Sequence, residues 1–250
     1  MDKDEVGGPN DLYETMGVKI SQVSSMCLDI ICEDMHLCLD VKYFMLLLSK
    51  EWLTDDSVIN TIINTSNDYM ADLIHLRPES LVEILDKWHN RIKAEYMKGF
   101  LQNLSVVSRG ARKCQFDNSG ERKLFGSKMN HEIALLDQWF NKMTSNIDNR
   151  RLYDFNILAL MTKIIKADDV DFIGVDIGAL IKRCPDITSE ILYGLLMLRG
   201  DVSRSDFKDK YEDYVISNEK LANANKAKPL GAPPVKTDQA MKILKKELKI

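Results

Sequence analysis

Apolar positions along this chain recur at helical spacing almost throughout, and no stretch shows the alternation that is typical of a strand. The first run alternates spacings of four and three, as a heptad-like seam does. It consists of Val23, Cys27, Ile30, Asp34, Leu37, Val41, Phe44 and Leu48, widened by Ile20, Ile31, Cys38 and Met45. One long helix from about Asp11 to Leu48 fits this run, and an apolar stripe of this kind typically faces the core.

Capping residues, prolines and glycines divide the rest of the chain into seven further helices. Asp55, Asp56 and Ser57 are cap candidates for a second helix. Pro78 suits the first turn of a third, which is predicted to run to about Ser108. The later boundaries are the turn Asp117–Gly120 before a fourth helix, Asn146–Asn149 before a fifth, Asp168 and Asp169 before a sixth, Pro185 after it, Thr188 before a seventh, Gly200 after it, and Ser203 with Asp206 before an eighth.

These elements predict an all-α protein of antiparallel helices joined by short loops. We expect two stacked bundles, over residues 11–145 and 146–216, after a disordered N-terminus of residues 1–10. Residues 217–250 are predicted to form a flexible basic tail, because their middle is rich in Ala, Asn, Lys and Pro and offers no apolar face. The last segment, DQAMKILKKELKI, is either a short basic amphipathic helix or a frayed terminus.

Charge and composition narrow the class of protein. The chain has 250 residues, of which 45% are hydrophobic, and a formal net charge of −4, so binding of nucleic acid by the whole chain is not expected. The five cysteines are expected to be reduced thiols, and the opening MDKDEVGGPN is not that of a leader. No stretch is long and apolar enough to predict a membrane span. These features indicate a cytoplasmic protein.

Motifs that would carry catalysis or metal binding are incomplete. His131 and Glu132 begin an H-E-x-x-H motif, but Leu135 stands where the second histidine is needed. The acidic run at 168–171 resembles that of all-α isoprenoid synthases, but Phe172 occupies the position of its last carboxylate. Capping explains that run better, and glycine-rich phosphate loops are missing. The sequence therefore predicts no enzyme, no cofactor and no metal. The alternative, a metal held by Cys32 and His36 with Cys38 or Cys27, is disfavoured because buried reduced cysteine is common.

Basic side chains are the main candidates for contacts with partners or lipid. One cluster flanks the predicted loop between the third and fourth helices, and others lie at the turn near Gly200 and in the tail. The candidates are Arg109, Arg112, Lys113, Arg122, Lys123, Lys128, Arg199, Arg204, Lys245 and Lys246. The cluster is either an ordinary solvated face or a docking patch for acidic lipid or an acidic partner helix. Arg199 and Arg204 can extend from their turn and pair with a partner carboxylate.

Several patterns together resemble the C-terminal region of the Sec-six-type exocyst subunits (exocyst complex component three). The most specific is Pro-Asp-Ile, then Leu-Leu, then Arg-Gly-Asp-x-Ser-Arg, found here over residues 185–204. Weaker ones are Lys50-Glu51-Trp52-Leu53, Asp68-Tyr69-Met70, and the tyrosine-bearing helix at Glu95-Tyr96 leading to Glu121-Arg122-Lys123. The resemblance runs from about residue 13 to 216, which is the last third of the longer family proteins.

This resemblance implies an elongated rod of tandem helical bundles of the multisubunit tethering-complex type. It also implies a non-catalytic exocyst subunit that tethers secretory vesicles to the plasma membrane and contacts other exocyst subunits, SNARE proteins and their regulators. Such a protein is expected to be cytoplasmic and peripheral at plasma membrane sites of secretion. The alternative is a peripheral membrane-binding helical module, of the kind acting in membrane protrusions, that uses the basic cluster and tail to bind anionic lipid.

Overall fold

The computed structural model describes residues 9–40, 43–49, 51–107, 116, 118–145, 147, 152–217 and 238–248. About 80% of these residues are helical, and none of them lies in a strand. The prediction of an all-α fold is therefore confirmed.

Ten helices follow one another along the described residues. They are α1 (Pro9–Asp40), α2 (Ser57–Leu73), α3 (Pro78–Val107), α4 (Ser119–Thr144), α5 (Asn156–Lys166), α6 (Ile173–Arg183), α7 (Ser189–Met197), α8 (Arg204–Lys210), α9 (helical over 212–217) and α10 (Gln239–Leu248). Short 3-10 turns lie at Phe44–Leu46 and Val170–Phe172. Most predicted boundaries are accurate to within a few residues.

Local capping explains why those boundaries could be predicted. The side chain of Thr188 accepts the Ile191 N–H at the start of α7. Ser203 and Asp206 form the expected capping box at the start of α8. Gly200 has φ 76°, the left-handed conformation predicted for it. Each of these signals acts within a few residues, so the sequence alone contains it.

The first helix ends earlier than predicted. It stops at Asp40, and a 3-10 turn follows at Phe44–Leu46. Leu48 then adopts φ 64°, a conformation that an apolar residue rarely takes. The turn places Phe44, Leu47 and Leu48 in the core. Tertiary burial has outweighed the local helical pattern here.

One continuous apolar core runs from α1 to α10. All three tryptophans belong to it, as predicted, since Trp52, Trp88 and Trp139 are 1%, 0% and 7% exposed. The core crosses the predicted boundary at 145/146, where the rings of Phe140 and Phe155 lie 5.8 Å apart. The division into bundles 11–145 and 146–216 remains a prediction, but helices from both sides share their interior.

The end of the chain is part of this core. Ala240, Met241 and Leu244 on α10 are fully buried, and α10 packs against α3. The interpretation of this segment as a frayed terminus is wrong, because its apolar face has a partner surface. The rest of the predicted flexible tail, residues 218–237, lies outside the described residues, as does most of the predicted disordered N-terminus.

Candidate interaction surfaces

The heptad-like seam of α1 points away from the core. Val23, Ile30 and Leu37 are 59%, 68% and 57% exposed, and Cys27 is also exposed. The expectation that this apolar stripe faces the core is therefore wrong. The buried face of α1 is a second stripe, made of Leu28, Cys32, Met35 and Leu39.

Polar contacts fix which face of α1 meets the body. Ser25 donates a 2.5 Å hydrogen bond to Glu83 on α3, and Lys87 of α3 pairs with Asp29. Because these partners lie on the buried side of α1, the seam is held outward. The rotation of the helix about its axis is thus determined by side chains beside the buried stripe.

The first half of α1 projects beyond the body. Residues 12–23 are exposed on every face, over a length of about 18 Å. The large apolar side chains exposed along α1 are Leu12, Tyr13, Met16, Val18, Ile20, Val23, Met26, Ile30 and Leu37. A contiguous apolar surface of this kind marks an interaction site. A helix of this length without packing is only marginally stable in water, which also indicates a partner.

The run of apolar seam positions is interrupted at Asp34, where α2 contacts α1. Tyr69 of α2 donates a 2.5 Å hydrogen bond to the carboxylate of Asp34, and its hydroxyl lies 3.2 Å from Cys38 Sγ. The bond to Asp34 raises the pKa of Tyr69 well above its usual value. The exposed seam suited to another helix therefore runs from Tyr13 to Ile30, with spacings of three and four throughout. We call Tyr13, Met16, Ile20, Val23, Cys27 and Ile30 the α1 seam.

The predicted basic cluster does not form one surface among the described residues. Lys128 is buried, and its ammonium donates to the Asp55 carbonyl at 2.8 Å and pairs with Asp56. Arg122 is also buried, where it donates to the main chain of Arg199 at 3.2 Å. Both bases are used to hold the fold together, so their assignment as exposed contacts is wrong.

The remaining bases of that cluster differ in position. Lys123 is exposed and lies 3.1 Å from the carboxylate of Asp168. Arg109, Arg112 and Lys113 lie outside the described residues. Lys123 is therefore the one base of the predicted cluster that the structure places in solvent within its described ranges.

The turn near Gly200 contains one buried and one exposed arginine. Arg199 is 0% exposed, and its guanidinium is paired with Asp201 at 2.8 Å, so its predicted role as a partner contact is wrong. Arg204 is exposed and lies over the ring of Tyr193, with 5.8 Å to the centroid. The Arg-Gly-Asp sequence thus forms a turn, and its arginine is buried in an ion pair with Asp201.

The two tail candidates face different ways on α10. Lys245 is half-buried and donates to the main-chain carbonyl of Asp186. Lys246 is exposed, as is Lys242. Only the outer face of α10 therefore offers lysines to solvent.

Groups that could have served catalysis are engaged in structure. Glu132 is fully buried and accepts a 2.6 Å hydrogen bond from Tyr96, and burial raises its pKa. Asp169 accepts from the Asp171 N–H at the 3-10 turn before α6, which agrees with capping. Burial also raises the pKa of the Cys32 thiol to about 11, which disfavours the nucleophilic thiolate form.

Within its described ranges the structure contains no group of three metal-binding side chains. The same residues include no helix long and apolar enough to cross a membrane. The cysteines described as free thiols are Cys27, Cys32, Cys38 and Cys184.

Together these surfaces define a class of protein: an all-helical body with an exposed apolar face on its first helix. Comparison with known families makes this specific. The family model described as "Exocyst complex component Sec6" matches residues 9–204, so the chain belongs to the Sec6 family of exocyst components. Exocyst subunits are non-catalytic scaffold proteins, which agrees with the prediction of no enzyme.

Individual relatives agree with this assignment. The chain is 24% identical over 162 residues to exocyst complex component 3 of Caenorhabditis elegans, covering 64% of this chain and 19% of the relative. It is 20% identical over 190 residues to the Drosophila melanogaster protein of the same name, covering 74% and 23%. The human exocyst complex component 3-like protein is 22% identical over 156 residues, covering 62% and 19%. The chain spans about a fifth of the length of these relatives.

A solved structure supports the fold. The C-terminal domain of the exocyst subunit Sec6p matches with a TM-score of 0.70 and 17% identity, over 87% of this chain and 51% of that one. At this identity the likeness concerns the fold alone.

Proposed function

We propose that this chain is part of a non-catalytic scaffold subunit that tethers secretory vesicles to the plasma membrane and contacts other exocyst subunits and SNARE proteins. Membership of the Sec6 family supports this role. The observation that carries the proposal is the α1 seam, an apolar stripe on a projecting helix. Its partners are expected to be helices, since a seam of this spacing pairs with a matching stripe.

The seam can accept a helix without burying charge. Its six positions are uncharged, and Lys19 is the one charged residue between Met16 and Asp29. Burying apolar side chains while leaving ions in water is the favourable arrangement at an interface. The same geometry allows two copies of this chain to pair, so self-association is a competing outcome that the experiment must detect.

Aspartate substitutions in the seam test the proposal. Val23→Asp and Ile30→Asp should abolish capture of purified exocyst subunits and SNARE proteins by the immobilised chain. Both positions are exposed, so helicity and melting temperature should not change. Gln22→Asp adds the same charge to an exposed position beside the seam and should retain capture. Undiminished capture by the seam variants would contradict the proposal. Loss of a dimer in sedimentation, with capture intact, would assign the seam to self-association.

A second candidate function is binding to anionic membrane at sites of secretion. The exposed lysines on the outer face of α10, Lys242 and Lys246, favour it, since exposed bases attract anionic lipid headgroups. Co-sedimentation with phosphatidylserine vesicles tests it. We expect pelleting that salt reverses and that Lys242→Glu with Lys246→Glu removes. A chain that stays in the supernatant at low salt would exclude this function.

A further inference from the structure

We infer that α10 is a displaceable occupant of a groove on α3, and that the same groove accepts in trans a partner helix with the same pattern of anchors. This goes beyond the proposed function, because the groove is a surface distinct from the α1 seam. It also assigns a regulatory role to the end of the chain, which would compete with the partner.

The anchors of α10 are two apolar side chains and one small residue. Met241 and Leu244 are fully buried at a spacing of three, and Ala240 is buried beside them. Ile243 and Leu248 are partly buried against the same core. This is how an amphipathic helix lies in an apolar groove.

Charge complementarity defines the rest of the pattern. Glu247 pairs with Arg91 and lies 3.2 Å from Lys98, both on α3. Asp238, at the other end of α10, lies 3.4 Å from Lys93. Carboxylates three residues before the first anchor and three after the second thus meet bases on the groove.

The opposite side of the groove comes from the loop between α6 and α7. Lys245 donates to the carbonyl of Asp186 and lies 3.7 Å from its carboxylate. The helix that fits this groove therefore has the order acid, apolar, apolar, base, acid at positions 238, 241, 244, 245 and 247. The pattern describes the chemistry of the partner as well as that of α10.

Two observations indicate that the groove exists independently of α10. The family match covers residues 9–204, so it includes α3 and Asp186 but excludes α10. The surface beside α10 is also not completely filled by it. A cleft of 750 Å³ remains alongside, lined by Asp29, Glu33 and Lys87 from one side and by Ile243 and Lys246 from the other. A longer helix would occupy space that α10 leaves open.

A long stretch of sequence joins α10 to the helix before it. Twenty residues, 218–237, separate α9 from Asp238, and a chain of that length reaches up to about 65 Å. A tethered helix has a high effective concentration at its own site, so a partner must bind more tightly or be present at high concentration to replace it. Competition between a tethered and a free helix is the expected behaviour.

A peptide with the sequence of residues 236–250 serves as the probe. Labelled with fluorescein, it should bind weakly to the wild-type full chain, because α10 occupies the groove. Full chain carrying Met241→Asp and Leu244→Asp should bind it at least about tenfold more tightly, since its own helix no longer competes. Lys242→Asp, on the exposed face of α10, is the matched control and should bind the probe like wild type.

Two further variants test the groove itself. In the background of Met241→Asp and Leu244→Asp, Lys98→Glu should weaken probe binding at least about tenfold. A probe with lysine in place of Asp238 and Glu247 should bind the emptied groove more weakly by a similar factor. If the double variant fails to fold, Leu244→Asp alone provides the chain whose own helix competes less well. Hydrogen exchange on wild-type chain supplies a second readout, in which excess probe should deprotect α10 but not α3.

The results can overturn the inference. Equal probe binding by wild type and the emptied variant would show that α10 does not compete for this groove. No binding by a folded emptied variant would show that the groove needs its covalent connection. Val23→Asp in the α1 seam should leave probe binding unchanged. A failure of this inference can therefore be distinguished from a failure of the proposed function.

Discussion

Arg199 donates a 3.0 Å hydrogen bond to the main-chain carbonyl of Ile165, a residue 34 positions earlier at the end of α5. The same guanidinium is held by both carboxylate oxygens of Asp201, at 2.9 and 2.8 Å. The last carbonyls of a helix have no partner within it, so this arginine satisfies groups that would otherwise be buried unpaired. The turn after α7 thereby anchors α5.

Replacing Arg199 should therefore unfold the chain more readily. We expect Arg199→Ala to lower the free energy of unfolding by about 3 kcal/mol. The substitution leaves the α5 carbonyls without their donor, and it leaves Asp201 with the longer 3.3 Å contact to Arg122. Arg199→Lys should recover only part of this loss, since an ammonium cannot form the forked pair. Urea denaturation measures both, and exposed Arg204→Ala should change stability by less than about 0.5 kcal/mol. A loss below about 1 kcal/mol for Arg199→Ala would contradict the anchoring role.

Two glycine substitutions should change the stability of the chain in opposite directions. Gly200→Ala should cost about 1 kcal/mol, because φ at this residue is 76° and a side chain strains that conformation. Gly178→Ala should stabilise by up to about 1 kcal/mol, since it lies inside α6 and an added Cβ meets nothing within 4 Å. Thermal melting of both variants provides the measurement. Two shifts of the same sign would disagree with the backbone described here.

The most buried tryptophan should dominate core stability. Trp88 is 0% exposed and donates a 2.8 Å hydrogen bond to Ser66. Trp88→Ala should destabilise by about 3–5 kcal/mol through the cavity that it leaves. Ser66→Ala should cost about 1–3 kcal/mol, because the indole N–H would be buried without an acceptor. Chemical denaturation measures both losses, and a change below about 1 kcal/mol for Trp88→Ala would mean that this face is not core.

The stability of the chain should fall on mild acidification because of His89. Burial, with a smaller effect from Lys93, lowers the pKa of His89 to about 3 from 6.5. Below pH 6.5 the unfolded chain binds a proton that the folded chain does not bind, so folding loses stability as pH falls towards 3. Between pH 7 and pH 5 the loss attributable to this residue is about 2 kcal/mol.

His89→Phe isolates that effect. The ring lies edge-on to Phe140, Tyr153 and Phe155, so phenylalanine preserves the aromatic packing while removing the titration. Urea unfolding at both pH values should show a smaller difference for the variant than for wild type. Identical pH dependence in the two proteins would rule out His89 as the cause.

The sequence predicts what is decided locally. Thr188 and Gly200 fix their helix ends through neighbours within a few residues, and both were predictable. Spacing alone could not distinguish the two apolar stripes of α1, because Val23 and Leu28 belong to equally regular patterns and only the position of α3 selects one. The burial of Arg199 depends on carbonyls 34 and 35 positions away. The docking of α10 likewise depends on bases far along the chain.

The buried stripe of α1 fixes the rotation of the helix about its own axis, and therefore the direction in which its exposed stripe faces. The C-terminal half of α1 is held to the body by the pair of Asp29 with Lys87 and by the buried stripe. The helix therefore cannot rotate about its axis or shift along it without breaking those contacts. A partner seated on the projecting half would adopt a set angle relative to the body. Force applied to that partner would be transmitted along α1 to the core in which its second half is buried. A helix held in this way determines the orientation of a bound partner relative to the body, as well as its distance from the body.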